Sequence, residues 1–168
     1  MISRIGKTLF TATLGLFFLL VAIDNIIDYG TNFQFVEHVL RMDSIPAGSH
    51  VQWRATQSPQ LHHLAYWVII LWELTAGALC SFGAIGLLRA LRSARDFRRA
   101  MRIAAAGLWL GLLLWAFAFI TVGGEWFMMW KSTVWNGELA AFRMFTVNAF
   151  ALLFLYLPDG PDDRSSSE

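Results

Sequence analysis

The chain contains four long apolar runs, and each is close to the roughly 20 residues that a helix needs to cross a bilayer. They cover residues 9–27, 64–88, 103–122 and 139–157. Of the 168 residues, 57% are hydrophobic and 15% are charged, which excludes an ordinary soluble domain. We therefore predict an all-α, four-helix transmembrane bundle.

The first run is expected to be a retained helix, because Ala22-Ile-Asp24-Asn25 offers no small-x-small cleavage site after it. All four runs then belong to one membrane domain, residues 1–158. Residues 159–168 are polar and contain helix breakers, so we expect a disordered cytoplasmic tail there.

An arginine-rich stretch, residues 89–102, separates the second and third runs and is predicted to be a cytoplasmic loop. Its six arginines, with Arg4, Lys7 and Arg164, place nine basic residues on one side of the bundle. The other side has three, which are Arg41, Arg54 and Lys131. The positive-inside rule therefore predicts a multi-pass protein of the bacterial inner membrane with both termini in the cytoplasm.

Two segments are predicted to lie outside. In residues 28–61, apolar and polar side chains alternate with helical spacing, which predicts a short amphipathic helix on the outer membrane surface. Residues 123–138 are rich in tryptophan. Interfacial tryptophans usually anchor helix ends, so we prefer that interpretation to a binding platform.

Polar residues within the apolar runs point toward the bundle. Glu73 shares a helix face with Gly77, on a stripe of small residues that lets helices approach closely. In the third run, Gly107 and Gly111 form a GxxxG pattern. If the α-helix continues, Glu125 lies on the same face as these glycines. Gly77, Gly107 and Gly111 are therefore candidate packing residues, and both carboxylates are predicted to face inward.

The first and fourth runs complete the predicted cluster. Asn25, more than Asp24, follows the packing face of the first run. Arg143 is the expected counter-charge, whereas Asn148 lies about 140° further round the helix and is expected to serve another contact. We predict an intramembrane polar cluster that opens outward, formed by Glu73, Arg143, Glu125, Asn25 and Asp24.

Two functions suit such a cluster. The charges can hold neighbouring helices together without any substrate, in a non-enzymatic accessory or interaction subunit of a membrane assembly. Alternatively, one arginine facing several carboxylates leaves an acid able to exchange a proton or cation, in a transport component. We prefer the first, because the small size of the chain, its GxxxG stripe and its aromatic outer surface favour packing against a partner. Four spans without a repeat also make a poor carrier on their own. The partners expected are the lipid bilayer and either another membrane protein or a second copy.

Other chemistry has little support in the sequence. The histidines lie at the outer side. A copper or zinc site using His38, His62 or His63 with Met42 is an alternative, but the spacing fits no metal motif. No histidines lie in facing spans to hold haem, and Cys80 is expected to be a core residue. No nucleophile has a base at suggestive spacing, and the basic residues form no nucleic-acid surface. We expect no cofactor, no metal and no enzymatic activity. The histidines are His38, His50, His62 and His63.

Several motifs distributed along the chain point to one family. They are residues 32–43, Trp53-Arg54-Ala55, Trp72-Glu73, residues 125–130, Trp135-Asn136-Gly137 and Phe142-Arg143. Together they resemble the bacterial family of predicted small integral membrane proteins, domain of unknown function 2165. The resemblance covers nearly the whole chain and implies a four-helix membrane protein. It implies no activity, cofactor or catalytic residue.

Overall fold

Helices make up the regular structure of residues 1–46 and 48–159, which are the residues that the computed structural model describes, and no strand occurs among them. A π-helical segment, Leu114–Trp126, continues the fourth helix without interruption and is called the π segment below. Two 3₁₀ turns, Gln52–Arg54 and Met129–Lys131, lie in connections. The α-helices are α1 (Ile2–Ile27), α2 (Tyr29–Arg41), α3 (Pro59–Arg89), α4 (Ala94–Leu113) and α5 (Glu138–Tyr156).

Four of these helices are long and apolar enough to cross a membrane. They are α1, α3, α4 together with the π segment, and α5, with 26, 31, 33 and 19 residues. The prediction of an all-α, four-helix bundle with one short additional helix is confirmed, and α2 is that helix. Neighbouring spans are antiparallel, since Gly83 meets Ala104 while Gly107 meets Cys80. We name the two ends of the bundle the α2 end and the loop end, the latter carrying the α3–α4 connection.

The arginine-rich stretch is mostly helical, which corrects the prediction of a loop over residues 89–102. Only four residues, 90–93, separate α3 from α4. The Ser93 hydroxyl accepts a hydrogen bond from the Asp96 backbone N–H at 3.3 Å and so caps the start of α4. Arginine has a high helix propensity, so the stretch continues as the first turns of α4 once this cap is in place.

Small residues let α3 and α4 pack closely in the half of the bundle near the loop end. A Cβ atom on Gly83 would lie 2.5 Å from the Ala104 Cα, and one on Gly107 would lie 2.6 Å from the Cys80 backbone nitrogen. Gly77 similarly lies against Leu19 of α1, where an added Cβ would be 2.9 Å from Cγ. Larger side chains at these glycines would force the helices apart, so close approach here depends on their small size.

Charged groups fasten the chain at the loop end. Lys7 is buried, and its Nζ donates to Asp159 Oδ1 at 2.6 Å and to the Leu157 carbonyl at the end of α5. Arg4 Nε lies 2.8 Å from the other carboxylate oxygen of Asp159. Burial alone would raise the pKa of Asp159, but the hydrogen bonds and positive charges of Lys7 and Arg4 hold it below its ordinary value. Asp159 begins the segment expected to be a disordered tail, and residues 160–168 lie outside the described residues.

The π segment occupies the half of the third span that lies at the α2 end. Its hydrogen bonds skip one residue more than those of an α-helix, as in the 3.0 Å bond from the Phe127 N–H to the Val122 carbonyl. The Thr121 hydroxyl also donates to the carbonyl five residues before it, Ala116, at 2.9 Å. This wider helix turns more slowly along its length, which changes where the side chains after Leu114 point.

Candidate functional site

A buried hydrogen-bonded group joins α1 to α3 inside the bundle. Asn25 Nδ2 donates to Glu73 Oε2 at 2.8 Å. The Tyr66 hydroxyl is within hydrogen-bonding distance of the Asn25 backbone carbonyl, at 3.1 Å, and of its side-chain oxygen, at 3.2 Å. Glu73 and Tyr66 are 1% and 2% exposed and Asn25 is 9% exposed. We call these three residues the polar triad.

Helix geometry explains why the triad forms. On α1, Asn25 continues a buried stripe through Phe18 and Ala22, which are seven and three residues earlier. On α3, Tyr66 and Glu73 are seven residues apart, or about two turns, and therefore share one face. The triad is thus set by the α1–α3 contact, and the amide of Asn25 lies between the two α3 side chains.

The triad lacks a positive partner among the described residues. Glu73 forms no ion pair there, and its hydrogen bond comes from the amide of Asn25. A charged side chain within a membrane span is costly and usually marks a packing or functional role. Of the three side chains, the carboxyl is the acid that most readily gains and loses a proton, because a tyrosine hydroxyl ordinarily titrates at about pH 10 and an amide does not titrate. The arrangement can therefore hold helices together, and it contains one group able to exchange a proton.

An aromatic group at the α2 end covers the triad. Tyr29 packs edge-on against Tyr66 with ring centroids 4.8 Å apart, and its hydroxyl lies 2.8 Å from His63 Nδ1. Phe33 stacks on the His63 ring at 4.1 Å. Burial raises the pKa of Tyr29, so its hydroxyl stays neutral to higher pH than a free tyrosine. These rings separate Tyr66 and Asn25 from the exposed end of the bundle.

Arg143 does not join Glu73, which corrects the prediction of a counter-charge from α5. The buried side chains of α5 include Ala141, Asn148 and Leu152, whereas Arg143 is exposed and has no hydrogen bond or ion pair with any residue that the structure describes. Asn148 and Arg143 lie about 140° apart around the helix, so only one of them can face the core. The neutral amide takes that position, and its Nδ2 donates to the Met144 carbonyl at 2.9 Å.

Glu125 also lies outside the cluster, contrary to prediction, because the third span changes helix type. Gly107, Gly111 and Leu114 are buried, but Glu125 is exposed. Eleven residues at about 100° each would return Glu125 to within about 20° of Leu114. At the roughly 80° per residue of an i→i+5 helix, the same step ends about 160° away. Asp24 is exposed as well, so the structure brings together Glu73 and Asn25 alone of the five predicted cluster residues.

Three polar side chains in the spans or at their ends form contacts that were not predicted from the sequence. Tyr66 could have been found, since it lies seven residues before Glu73 on the same face. Trp72 donates its indole N–H to the Leu110 carbonyl at 3.0 Å and ties α3 to α4. His62 is 1% exposed, and its Nε2 lies 3.0 Å from the Thr56 carbonyl. Neither of the last two contacts has a sequence signal.

The histidines are distributed among separate contacts. His38 lies 2.9 Å from Asp43 and stacks on Trp135, while His63 bonds to Tyr29. Within residues 1–46 and 48–159, no group of three or more His, Cys, Asp or Glu side chains is arranged to hold a metal ion.

Comparison with known proteins agrees with this architecture. No curated protein and no solved structure matches the chain. One family model matches residues 3–158, which is nearly the whole chain and includes all four spans and α2. The chain therefore belongs to the family described as predicted small integral membrane protein, DUF2165.

Proposed function

We propose that this protein is a non-enzymatic accessory subunit that binds another membrane protein through the exposed face of α5. The observation that carries the proposal is Arg143, an exposed arginine within a membrane span and without a bonded partner among the described residues. An acidic or polar side chain on a partner helix would complete the interaction that this chain does not supply.

The position of Arg143 supports a protein partner. It lies five residues into α5, or about 7 to 8 Å from the start of the helix. An arginine at the centre of a span costs about 2.5 to 3.5 kcal/mol on insertion scales, and the cost is smaller at the depth of Arg143. Charged residues within spans usually face protein rather than lipid. Pairing with a carboxylate at an interface would offset part of that cost.

The side chains around Arg143 form a mostly apolar stripe that includes Thr146. Leu139, Phe142, Phe150 and Leu153 are each more than half exposed and lie on the same side of α5. Aromatic side chains and arginine are among the residues enriched at protein interfaces. A helix from a partner could therefore pack along this stripe while its acid meets Arg143.

The test is purification of a tagged protein from native membranes in mild detergent, with co-purifying chains identified and quantified by mass spectrometry. We expect a membrane partner at fixed stoichiometry. Arg143→Leu should abolish its recovery without impairing insertion, because leucine is more apolar than arginine. Arg92→Gln, at the exposed α3–α4 connection, is the matched control and should retain the partner.

Two results would contradict the proposal. One is recovery of the wild-type protein alone, folded and monodisperse. The other is a partner whose yield is unchanged by Arg143→Leu, which would mean that Arg143 extends toward the membrane surface rather than into an interface. Recovery of a second copy as the partner would assign the stripe to a homo-oligomer instead.

A second candidate, an ion- or proton-coupled transport component, is favoured by the buried Glu73 without a positive partner among the described residues. It predicts that Glu73→Gln abolishes flux in liposomes while the protein still folds. Glu125→Gln removes an exposed carboxylate and is the matched control. Equal flux in wild type, Glu73→Gln and empty liposomes would reject this candidate.

The proposed subunit lies in the bacterial inner membrane with both termini and the loop end in the cytoplasm. The concentration of arginines at the loop end supports this orientation through the positive-inside rule. A side-specific reporter inserted at residue 92 should be active only in the cytoplasm. An external signal at that site would reject the orientation.

A further inference from the structure

An apolar crevice separates α3 from the third span at the α2 end. Its volume is about 410 Å³, within the range of about 300 to 1,000 Å³ that is usual for ligand sites. The α3 side contributes Leu61, Ala65, Val68, Ile69 and Trp72. Every lining residue is apolar, so the crevice is built to exclude water.

Three structural features create the crevice. The small residues that hold α3 against α4 lie nearer the loop end, and Trp72, bonded to the Leu110 carbonyl, marks where the two helices begin to separate. Beyond that point the π segment forms the opposite wall with Phe117, Phe119 and Val122. α2 lies alongside and contributes its buried apolar side chains, including Val36 and Val39.

The crevice is open toward the surroundings of the bundle. Leu61, Leu64, Val68 and Phe117 line it and are about half exposed. The rise along α3 from Leu61 to Trp72 is about 16 Å. That length is comparable to the hydrocarbon depth of one leaflet, which is half of a core about 30 Å thick.

A positive charge lies near the α2 end of the crevice. The Arg54 guanidinium lies 4.7 Å from the ring centroid of Trp126 and donates to the Trp126 carbonyl at 3.3 Å, next to the lining residue Phe127. Arg41 is ion-paired with Glu37 and Asp43, but Arg54 has no ion pair within the part of the chain that the structure describes. Its Nε is buried and has no hydrogen-bond partner among those residues.

We infer that the crevice binds one acyl chain of an anionic phospholipid, with the headgroup phosphate at Arg54. The apolar lining suits the hydrocarbon chain, and the open side lets it enter from the bilayer. The guanidinium of Arg54, which has no ion pair among the described residues, complements the phosphate. This site is separate from the stripe around Arg143 on α5. Its test therefore does not depend on the proposed partner.

The test uses the full-length protein in nanodiscs that contain phosphatidylglycerol or phosphatidylcholine with a photoreactive diazirine in one acyl chain. After illumination, adducts are mapped by peptide mass spectrometry. We expect phosphatidylglycerol adducts at Ile69, Trp72 and Val122 to exceed those at Leu16 and Phe150, which lie on exposed helix faces elsewhere. The preference for phosphatidylglycerol over phosphatidylcholine should be about fivefold, the effect of one basic group at an anionic surface.

Variants separate the two parts of the site. Arg54→Gln should remove the preference for phosphatidylglycerol, whereas Arg54→Lys and the control Arg92→Gln should keep it. Val68→Trp should fill the crevice and reduce adducts there, whereas Leu153→Trp, on the exposed face of α5, should not. The adduct map of the wild-type protein decides the proposal even if a filled variant fails to fold.

Several results would overturn the inference. Adducts that simply follow side-chain exposure would show that the crevice holds no bound chain. Equal labelling by both lipids, unchanged in Arg54→Gln, would show that Arg54 does not bind the headgroup. Native mass spectrometry that finds a different apolar molecule or a second copy in the crevice would assign it to that occupant.

Discussion

The hydrogen bond between Asn25 and Glu73 provides the sharpest test of the polar triad. Asn25→Ala removes the donor to Glu73 Oε2, which lies 2.8 Å away on a side chain that is 1% exposed. Leaving a buried polar group without its partner costs about 1 to 3 kcal/mol. We therefore expect Asn25→Ala to lower the free energy of unfolding by that amount. Asp24→Ala, on the exposed face one residue earlier, should change it by no more than about 0.5 kcal/mol.

A double-mutant cycle isolates the pair. The free energy of unfolding is measured by SDS titration in mixed micelles for the wild type, Asn25→Ala, Glu73→Ala and the double variant. Hydrogen bonds between membrane helices give couplings of about 0.6 kcal/mol on average and about 1.7 kcal/mol at most, so we expect about 1 kcal/mol here. A coupling indistinguishable from zero, or equal losses in Asn25→Ala and Asp24→Ala, would refute the claim that this bond joins α1 to α3.

Three further predictions concern packing, the loop end and the α3–α4 contact. Gly83→Val should lower the free energy of unfolding by about 1 to 3 kcal/mol, because the added side chain overpacks the contact with Ala104. In the same titration, the control Gly30→Ala should be neutral or slightly stabilising, because an added Cβ there meets nothing within 4 Å. Because the pKa of Asp159 is lowered in the folded state, its contribution to stability is present above the ordinary carboxyl pKa of about 3.9 and is lost as pH falls through the folded value. Asp159→Asn should flatten the pH dependence of the unfolding midpoint in that range, and an unchanged profile would contradict the assignment. Trp72→Phe removes the hydrogen bond to the Leu110 carbonyl and should cost about 0.5 to 1.5 kcal/mol, unlike the exposed control Trp109→Phe; equal effects would count against that bond.

For α5, the sequence could not decide which of two polar residues, Arg143 or Asn148, faces the core. Helical spacing showed that Arg143 and Asn148 cannot both face the core. Because a charge inside a span usually faces the bundle interior, the sequence predicts that Arg143 points inward. The structure buries Asn148 and exposes Arg143, because the face of α5 that packs on the other helices carries small and aliphatic side chains around Asn148. That choice requires the neighbouring helices.

The third span shows a different limit. Gly107 and Gly111 lie in the buried face that an α-helical period predicts, and the extrapolation fails only beyond Leu114, where the π segment begins. Predicting a buried face from the α-helical repeat assumes an α-helix throughout, and no residue pattern indicates the change to a π-helix. The repeat therefore predicts Glu125 in the cluster, although Glu125 lies on the exposed surface.

The sequence by itself determined the architecture, because apolar runs of about 20 residues match the length of a membrane-spanning helix, which satisfies all its backbone hydrogen bonds internally. The sequence also identified Glu73 and Asn25, because each lies on a stripe of small and apolar residues that is recognisable from the spacing within its own helix. Tertiary structure alone decided which other polar groups meet them. Rotation of each helix about its axis depends on packing against its neighbours, and that packing placed Tyr66 in the triad, turned Arg143 outward and opened the crevice between α3 and the π segment.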